Sequence, residues 1–142
     1  MIDSTMYLDK EKCQIIESFY KKNKFAEKLN FKFLTISEGY LLVEIKSFNE
    51  CMCNSLEYIH GGVIASILDS AMSIAANTIN KVVVTRNINV SYIKALEPVD
   101  IKVESNVLSF NNRTILIEGR IYLNDDIIAT SVGVFNSIGK LW

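Results

Sequence analysis

The sequence lacks a strong charge of either sign. Its 142 residues hold 15 lysines and arginines against 16 aspartates and glutamates, a formal net charge of −1, and like charges form no block. Because the phosphate backbone of nucleic acid is normally met by a basic surface, nucleic acid is not expected as the main partner. A local basic pocket for a nucleotide-bearing ligand is compatible with this charge.

Long apolar runs are missing as well. Segments such as 63–65 are soon broken by serine or aspartate, well short of the roughly 20 apolar residues of a membrane helix, so no membrane partner is expected. The first twelve residues have no basic stretch followed by an apolar one, as a secretory signal would. The sequence therefore predicts a soluble protein of the cytoplasm.

Cysteine is too sparse and too irregular for a disulfide framework. The chain has an odd number of cysteines, namely Cys13, Cys51 and Cys53, and this number suits a reducing compartment, where disulfide bonds are rare. Cys51 and Cys53 can be imagined as metal ligands together with His60. A C-x-C pair with one distant histidine nevertheless lacks the usual zinc spacing and a fourth ligand, so we expect free thiols and no metal.

The residues that are present predict one domain over 1–142. Apolar residues make up 49% of the chain. A domain of this length buries roughly 70% of the surface of its unfolded chain, so it does not need disulfide bonds or metal ions for stability. Apolar residues at helical spacing predict a helix over 9–23, inside an N-terminal helical segment 1–30. A long apolar segment predicts a second helix from Gly61 to about Asn80.

Strands are predicted on both sides of this long helix from β-branched and aromatic residues between turn residues. The predicted strands are 31–34, 40–45, 82–93, 99–110, 113–123 and 127–135. Glu38 and Gly39 form the turn between the first two. The connection 47–59 has little periodicity, and loops of that length are often functional. This order of elements predicts an α+β domain with a largely antiparallel sheet.

The candidate site lies where the long loop meets the long helix, at His60, Gly61 and Gly62. Backbone N–H groups at a helix start have no partner in the helix and suit an anion or a developing oxyanion. Two glycines would leave these groups uncovered, although Gly-Gly also simply permits a close turn. The single histidine either caps or packs at the helix start, or it orients the loop and helps to polarise a carbonyl.

Asp69 is the candidate general base or nucleophile. It shares a polar stripe of the helix with Ser66, Ser70, Ser73 and Asn77, which is either a solvated face or part of a site. Asp69 lies roughly 10–12 Å along the helix from the two glycines, since a helix rises 1.5 Å per residue. A site that uses both groups therefore requires two antiparallel helices in a two-fold dimer.

The pattern Asn54-x5-His60-Gly61-Gly62-x6-Asp69 resembles the signature of the hotdog-fold thioesterases, in the branch typified by phenylacetyl-CoA thioesterase. In that branch the pattern runs N-x-x-G-x-x-H-G-G, followed by a helix that bears the aspartate. The resemblance implies a hotdog fold, in which an antiparallel sheet wraps a long helix. It also implies homodimers that often pair into homotetramers.

The resemblance extends over most of the chain. Residues 85–92 are similar to the strand that follows the helix in these enzymes, and 128–135 are similar to their last strand. Residues 112–114 stand where the family commonly has a G-R-T-like turn. The usual proline after Tyr92 is absent and Asn112 replaces the glycine of the turn, departures that touch turn geometry more than chemistry.

The implied activity is hydrolysis of an acyl-CoA to free acid and CoA, with CoA as part of the substrate and no cofactor. Asp69 would activate the attacking water or attack directly. The Gly61 amide of the other subunit, helped by His60, would polarise the thioester carbonyl. Asn54 would position the water or the thioester, and Thr85 would help to hold the nucleophilic water.

Further residues are assigned to substrate binding. They are Gly62, Glu57, Ser70 and Arg113. Arg113 is a candidate for the CoA phosphates, together with Lys94 or Arg86. Glu57 stands where the family usually has glycine, which places a carboxylate near the site and can reshape the loop, substrate choice or activity.

Three other functions compete with this interpretation. A non-catalytic acyl-CoA sensor usually carries a DNA-binding module, for which roughly 30 residues before the first strand are too few. A dehydratase or hydratase of acyl thioesters uses a different histidine and acid arrangement, which we do not find. A structural dimer explains the apolar helix but not Asn54, His60 and Asp69 together. The sequence therefore favours the thioesterase.

Overall fold

A six-stranded antiparallel sheet wraps around one long helix in the computed structural model, which describes residues 8–142. The helices are α1 (Lys10–Lys22), α2 (Lys24–Leu29) and α3 (Gly61–Asn77). The strands are β1 (Lys32–Ser37), β2 (Tyr40–Ile45), β3 (Val82–Tyr92), β4 (Ile101–Phe110), β5 (Thr114–Leu123) and β6 (Asp126–Gly139). A 3₁₀ turn, Glu50–Met52, interrupts the loop before α3. The predicted α+β architecture is confirmed.

The strand order is β1-β2-β4-β5-β6-β3, with every neighbouring pair antiparallel. The chain leaves β2, passes through α3 across the face of the sheet, and returns as β3 at the far edge. β3 therefore pairs with β6 on one side and presents its other side as the edge of the sheet. It follows that α3 and the edge strand lie next to each other, which positions the candidate site.

The core lies between the apolar face of α3 and the inner face of the sheet. Ile67, Leu68 and Met72 are fully buried there. Close packing is possible because β5 carries Gly119 opposite the helix. A Cβ atom at Gly119 would lie 3.1 Å from Leu68 Cδ2 and 3.3 Å from Met72 Cγ, so a larger residue would push the helix away from the sheet.

The N-terminal helices form a hairpin that is fastened to β1. The Tyr20 hydroxyl donates to the Ala26 carbonyl at 2.5 Å and accepts the Phe31 N–H at 3.2 Å. Its ring stacks on Phe31 and meets Phe33 edge-on, with centroids 5.6 and 5.4 Å apart. Burial raises the pKa of this phenol above its ordinary value, so the hydroxyl keeps its proton for the hydrogen bond to Ala26.

The structure shifts several predicted boundaries. The long helix ends at Asn77 rather than near Asn80, because Asn80 takes a left-handed conformation with φ 58° and the Thr78 hydroxyl bonds back to the Ala75 carbonyl. The last strand runs four residues past Phe135, because 136–139 pair with the start of β3. Helix α2 was expected only as part of the N-terminal helical segment.

The beginning and end of other strands moved for local reasons. β1 runs to Ser37, three residues further than predicted, because its end pairs with the start of β2 across the turn at Gly39. β4 begins at Ile101 rather than at residue 99, because the N–H of Val99 bonds to the carbonyl of Glu97 in a turn. No helix within residues 8–142 is long and apolar enough to cross a membrane.

Candidate active site

Asp69 and Thr85 are brought together where α3 passes the edge strand. Thr85 Oγ1 donates to Asp69 Oδ1 at 2.6 Å. The register of β3 against β6 shifts between Thr85 and Asn87, a bulge of the kind that often re-aims side chains at active sites. No group in the described part of the chain donates to the second carboxylate oxygen, Oδ2. One carboxylate oxygen of Asp69 thus accepts a hydrogen bond from Thr85, and the other can accept one from a ligand or a water molecule.

The start of α3 is capped by the single histidine. His60 has an extended backbone, φ −58° and ψ 137°, and its Nδ1 accepts the N–H of Gly62 at 3.0 Å. An accepting Nδ1 is unprotonated, so the hydrogen bond assigns the proton of the neutral ring to Nε2. The N–H groups of Val63 and Ile64 both donate to the His60 carbonyl.

One N–H group of this first turn therefore differs from the others. The N–H of Gly61 donates to no acceptor among residues 8–142. The expectation that both glycines leave their N–H groups uncovered is wrong for Gly62, because the imidazole of His60 accepts that hydrogen. The uncovered donor that suits an oxyanion is the one on Gly61.

Tyr92 completes this end of the helix, and the sequence interpretation did not assign it to the site. Its hydroxyl donates to the Gly61 carbonyl at 2.7 Å, and its ring lies 3.5 Å from the point where a Cβ of Gly61 would be. Tyr92 is the last residue of β3. The strand that places Thr85 on Asp69 therefore also fixes the helix start, a relationship that no spacing rule predicts.

Asn54 organises the loop in front of the helix. Its Oδ1 accepts the N–H groups of Leu56 and Tyr58 at 2.9 and 3.2 Å. This tight turn holds Glu57 at φ 65°, in the left-handed region that costs a residue with a Cβ about 1–2 kcal/mol. The glycine that the family usually has at this position would be free of that strain. Asn54 and Glu57 line an open cavity of about 840 Å³ beside the loop.

A separate cleft of about 490 Å³ opens beside Asp69. Its walls are α1 and α2, the polar stripe of α3 and the first half of β3. The lining residues are Phe19, Tyr20, Lys22, Asn23, Ala26, Asp69, Ser70, Ser73, Ile74, Asn77 and Val82 to Thr85. The stripe is accordingly half-buried rather than fully solvated, and Asn77 is only 5% exposed. The volume is that of an ordinary small-ligand site.

The predicted site residues thus fall into two groups within one chain. Asp69, Thr85 and Ser70 share the cleft, whereas Asn54 and Glu57 lie in the loop and His60, Gly61 and Gly62 form the helix start. α3 is continuous from Gly61 to Asn77, so Asp69 lies about 12 Å along it from Gly61. One chain does not bring the two groups to the same substrate atom.

Arg113 belongs to neither group. It lies in the turn between β4 and β5, where its N–H donates to Asn111 Oδ1 at 2.9 Å. The next residue, Thr114, pairs with Asn136, which pairs with Val84 of β3. Two strand spacings of about 4.8 Å therefore separate it from β3, and it does not line the cleft beside Asp69.

The cysteines and the ionisable side chains give no sign of a metal centre in the described part of the chain. Cys13, Cys51 and Cys53 are free thiols. No three His, Cys, Asp or Glu side chains within residues 8–142 lie together as metal ligands do. The acid beside the cleft has a hydroxyl partner instead, an arrangement that can orient water or hold a carboxylate for proton transfer.

Comparison with known proteins defines the class. The sequence profile of the thioesterase superfamily matches residues 56–130, just over half of the chain, and the chain therefore belongs to the thioesterase superfamily. It is 30% identical over 109 residues to an Archaeoglobus fulgidus protein named "Putative esterase", a match that covers 73% of this chain and 70% of that protein. This membership supports a hydrolase with thioesterase-type activity.

Solved structures show the same fold. The PaaI protein of E. coli, from the phenylacetic acid degradation operon, matches with a TM-score of 0.83 at 19% identity, over 91% of this chain and 94% of that one. The protein smu.793 of Streptococcus mutans UA159, bound to acetyl CoA, matches with a TM-score of 0.74 at 16% identity, over 78% and 90%. The resemblance to PaaI-like hotdog thioesterases is confirmed.

Proposed function

We propose that this protein is an acyl-CoA thioesterase that hydrolyses an acyl-CoA to a free acid and CoA. The observation that carries the proposal is the hydrogen bond between Thr85 and Asp69, which both line the 490 Å³ cleft, in a chain of the thioesterase superfamily. The S. mutans structure bound to acetyl CoA supports CoA as the carrier.

In the proposed reaction Asp69 acts as a general base. Thr85 holds Oδ1, and Oδ2 takes a proton from a water molecule whose oxygen attacks the thioester carbonyl carbon. The tetrahedral intermediate then expels the CoA sulfur, which receives that proton from Asp69. Direct attack by Asp69 to form an anhydride is the alternative. Label in the Asp69 carboxylate after a single turnover in oxygen-18 water would identify the anhydride route, because only that route can place it there.

The developing oxyanion is stabilised by the start of α3 from the partner subunit. The uncovered N–H of Gly61 is the donor, with the partial positive charge of the helix start behind it. The proton on Nε2 makes His60 a second candidate donor. Asn54 shapes the loop that delivers this helix start and positions the water or the thioester.

A two-fold homodimer brings the two groups of residues together. β3 is an edge strand of eleven residues, and an exposed edge readily pairs with a second strand. Antiparallel pairing of two such edges about a two-fold axis would continue the sheet and set the neighbouring α3 helices antiparallel. Asp69 of one subunit then faces Gly61 of the other.

The outer face of the sheet gives a reason for further assembly. It carries exposed apolar side chains, among them Val84 on β3, Leu108 on β4 and Val132 on β6. Exposed apolar surface of this kind is typical of protein interfaces. We therefore propose that two dimers pair through this face to form a homotetramer.

Contacts with CoA are proposed at the edge of the same site. Ser70 lies in the cleft, and Gly62 and Glu57 belong to the helix start and its loop. Of the basic candidates, Lys94 already forms an ion pair with Asp126 at 3.2 Å. Arg86 stands directly after Thr85 in the β3 bulge, which places it closer to the proposed chemistry than Arg113, so we rank it first for the phosphates.

The proposal is tested by hydrolysis of acetyl-, hexanoyl-, lauroyl-, phenylacetyl- and benzoyl-CoA by the wild type and by Asp69→Asn. Free CoA is followed by chromatography, because the exposed thiol of Cys51 would react with a thiol dye. We expect turnover that collapses in Asp69→Asn while binding persists. Binding of these ligands without turnover by the wild type would contradict the proposal and identify a ligand sensor.

A further inference from the structure

The roof of the cleft comes from a part of the chain outside the superfamily match. The match spans residues 56–130, which include Asp69 and Thr85. The roof residues, among them Phe19, Asn23 and Ala26, belong to the α1–α2 hairpin. The chemistry is thus provided by the shared core, whereas the space above it is shaped by a segment of this chain that the profile does not cover.

This roof is a fixed wall rather than a mobile cover. The Tyr20 hydroxyl bonds to the Ala26 carbonyl within the hairpin and to the N–H of Phe31, the residue directly before β1. Ile16 and Leu29 from the same hairpin are buried in the core. Because these contacts hold α1 in place, a substrate that is too large for the cleft cannot gain room by lifting the hairpin without breaking them.

Phe19 has a particular place in this wall. It borders the 490 Å³ cleft beside Asp69 and also a second cavity of about 340 Å³ on the other side of α1, next to Ile15 and Leu141. Lys22 is the other residue shared by the two cavities, and it is exposed to solvent. The half-buried ring of Phe19 is therefore the partition between them.

We infer that Phe19 sets the length of the acyl group and that the preferred substrates are medium-chain acyl-CoAs. This inference rests on the proposed function. With the thioester carbonyl at Asp69, the acyl chain follows α3 toward Asn77, the last residue of α3 that lines the cleft. Eight residues of helix span about 12 Å, and an extended chain advances about 1.2 Å per bond. The cleft therefore holds about eight to ten carbons.

The lining agrees with such a chain. Ile74 and Val83 provide apolar contacts on two sides of the cleft, and the Phe19 ring provides a third. Burial of each additional methylene favours a longer chain until the chain meets the partition. An acyl chain longer than the cleft must displace the Phe19 ring or leave its end in water. Further methylene groups therefore add no binding free energy.

The test measures kcat/KM of the full-length protein for butanoyl-, octanoyl-, decanoyl-, tetradecanoyl- and hexadecanoyl-CoA. The variants are Phe19→Ala, which joins the two cavities, and Phe19→Trp, which shortens the cleft. Phe25→Ala is the matched control, because Phe25 lies on the neighbouring helix α2, is 56% exposed and does not line the cleft. Phe19→Leu replaces Phe19→Ala if thermal unfolding shows that the latter does not fold.

The wild type is expected to prefer octanoyl- or decanoyl-CoA. Phe19→Ala should raise the ratio of tetradecanoyl to octanoyl kcat/KM about tenfold, Phe19→Trp should lower it, and Phe25→Ala should leave it unchanged. A wild-type preference for butanoyl- or hexadecanoyl-CoA, or a ratio that no Phe19 variant moves, would overturn the inference while Asp69-dependent hydrolysis still supports the proposed function. No hydrolysis of any acyl-CoA would instead be the failure of the proposed function.

Discussion

The hydroxyl of Thr85 donates to the carboxylate of Asp69 at 2.6 Å, although 16 positions separate the two residues in the sequence. The distance is short because the chain reverses direction directly after α3 and β3 runs back along the helix. Seven residues further along β3, Tyr92 reaches the carbonyl of Gly61 at the start of the same helix. One strand therefore holds both the acid and the helix start in position.

The Thr85 hydroxyl is expected to matter for turnover more than for substrate binding. Thr85→Val keeps the side-chain shape but removes the donor to an ionised group, a loss of about 1.5–3 kcal/mol, so kcat should fall about 10- to 100-fold. Thr85→Ser keeps the hydroxyl and should retain most of the activity. Steady-state kinetics that separate kcat from KM provide the measurement, and a Thr85→Val enzyme as fast as Thr85→Ser would contradict the role.

The N–H of Gly61 can be removed without changing the helix start. Proline is favoured at the first helical position, where its missing N–H breaks no helix hydrogen bond. The extended backbone of His60, with ψ 137°, suits a residue that precedes proline. Gly61→Pro should fold normally and lose about 10²- to 10³-fold in kcat.

Gly61→Ala is the matched control for this substitution. It retains the N–H, and its Cβ would lie 3.5 Å from the Tyr92 ring, an ordinary contact. Its kcat should therefore stay well above that of Gly61→Pro, with similar thermal stability for both. Equal kcat values for the two variants would exclude the Gly61 N–H as the oxyanion donor.

The strain at Glu57 predicts a stabilising substitution. Its φ of 65° is unfavourable for a residue with a Cβ but not for glycine. After allowance for the greater freedom of glycine in the unfolded chain, Glu57→Gly should raise the free energy of unfolding by about 0.5–1 kcal/mol. Urea unfolding measures this change. Glu57→Ala keeps the Cβ and should give no gain, so equal stabilisation by both variants would show that the carboxylate rather than the backbone is responsible.

Much of the fold could be predicted because its elements have strong local patterns. The apolar period of α3 and the β-branched strands after it follow directly from the sequence. The pairing of 136–139 with the start of β3 could not be predicted. Asn136 has little strand propensity, and this segment is extended only because β3 lies beside it in the folded chain. The hairpin formed by α1 and α2 likewise depends on tertiary contacts of Tyr20.

The candidate site was predictable only in part for a similar reason. The residues before and within α3 carry a recognisable spacing, and the family resemblance added Thr85. Tyr92 and Phe19 have no such signal, because their importance depends on which end of a helix or which cavity they border in the folded chain. The hydrogen bond from the Gly62 N–H to the imidazole of His60 could not be predicted either, because it depends on the orientation of the histidine side chain.

The central claim is that each active site combines Asp69 of one subunit with the Gly61 N–H of its partner. The direct measurement mixes the two inactive variants, Asp69→Asn and Gly61→Pro. The mixture is then unfolded and refolded so that the subunits exchange. Half of the dimers are then mixed, and each mixed dimer has one site with both groups intact. We predict recovery to about a quarter of wild-type activity. A mixture that stays as inactive as the separate variants, although both variants refold into dimers, would contradict the shared site.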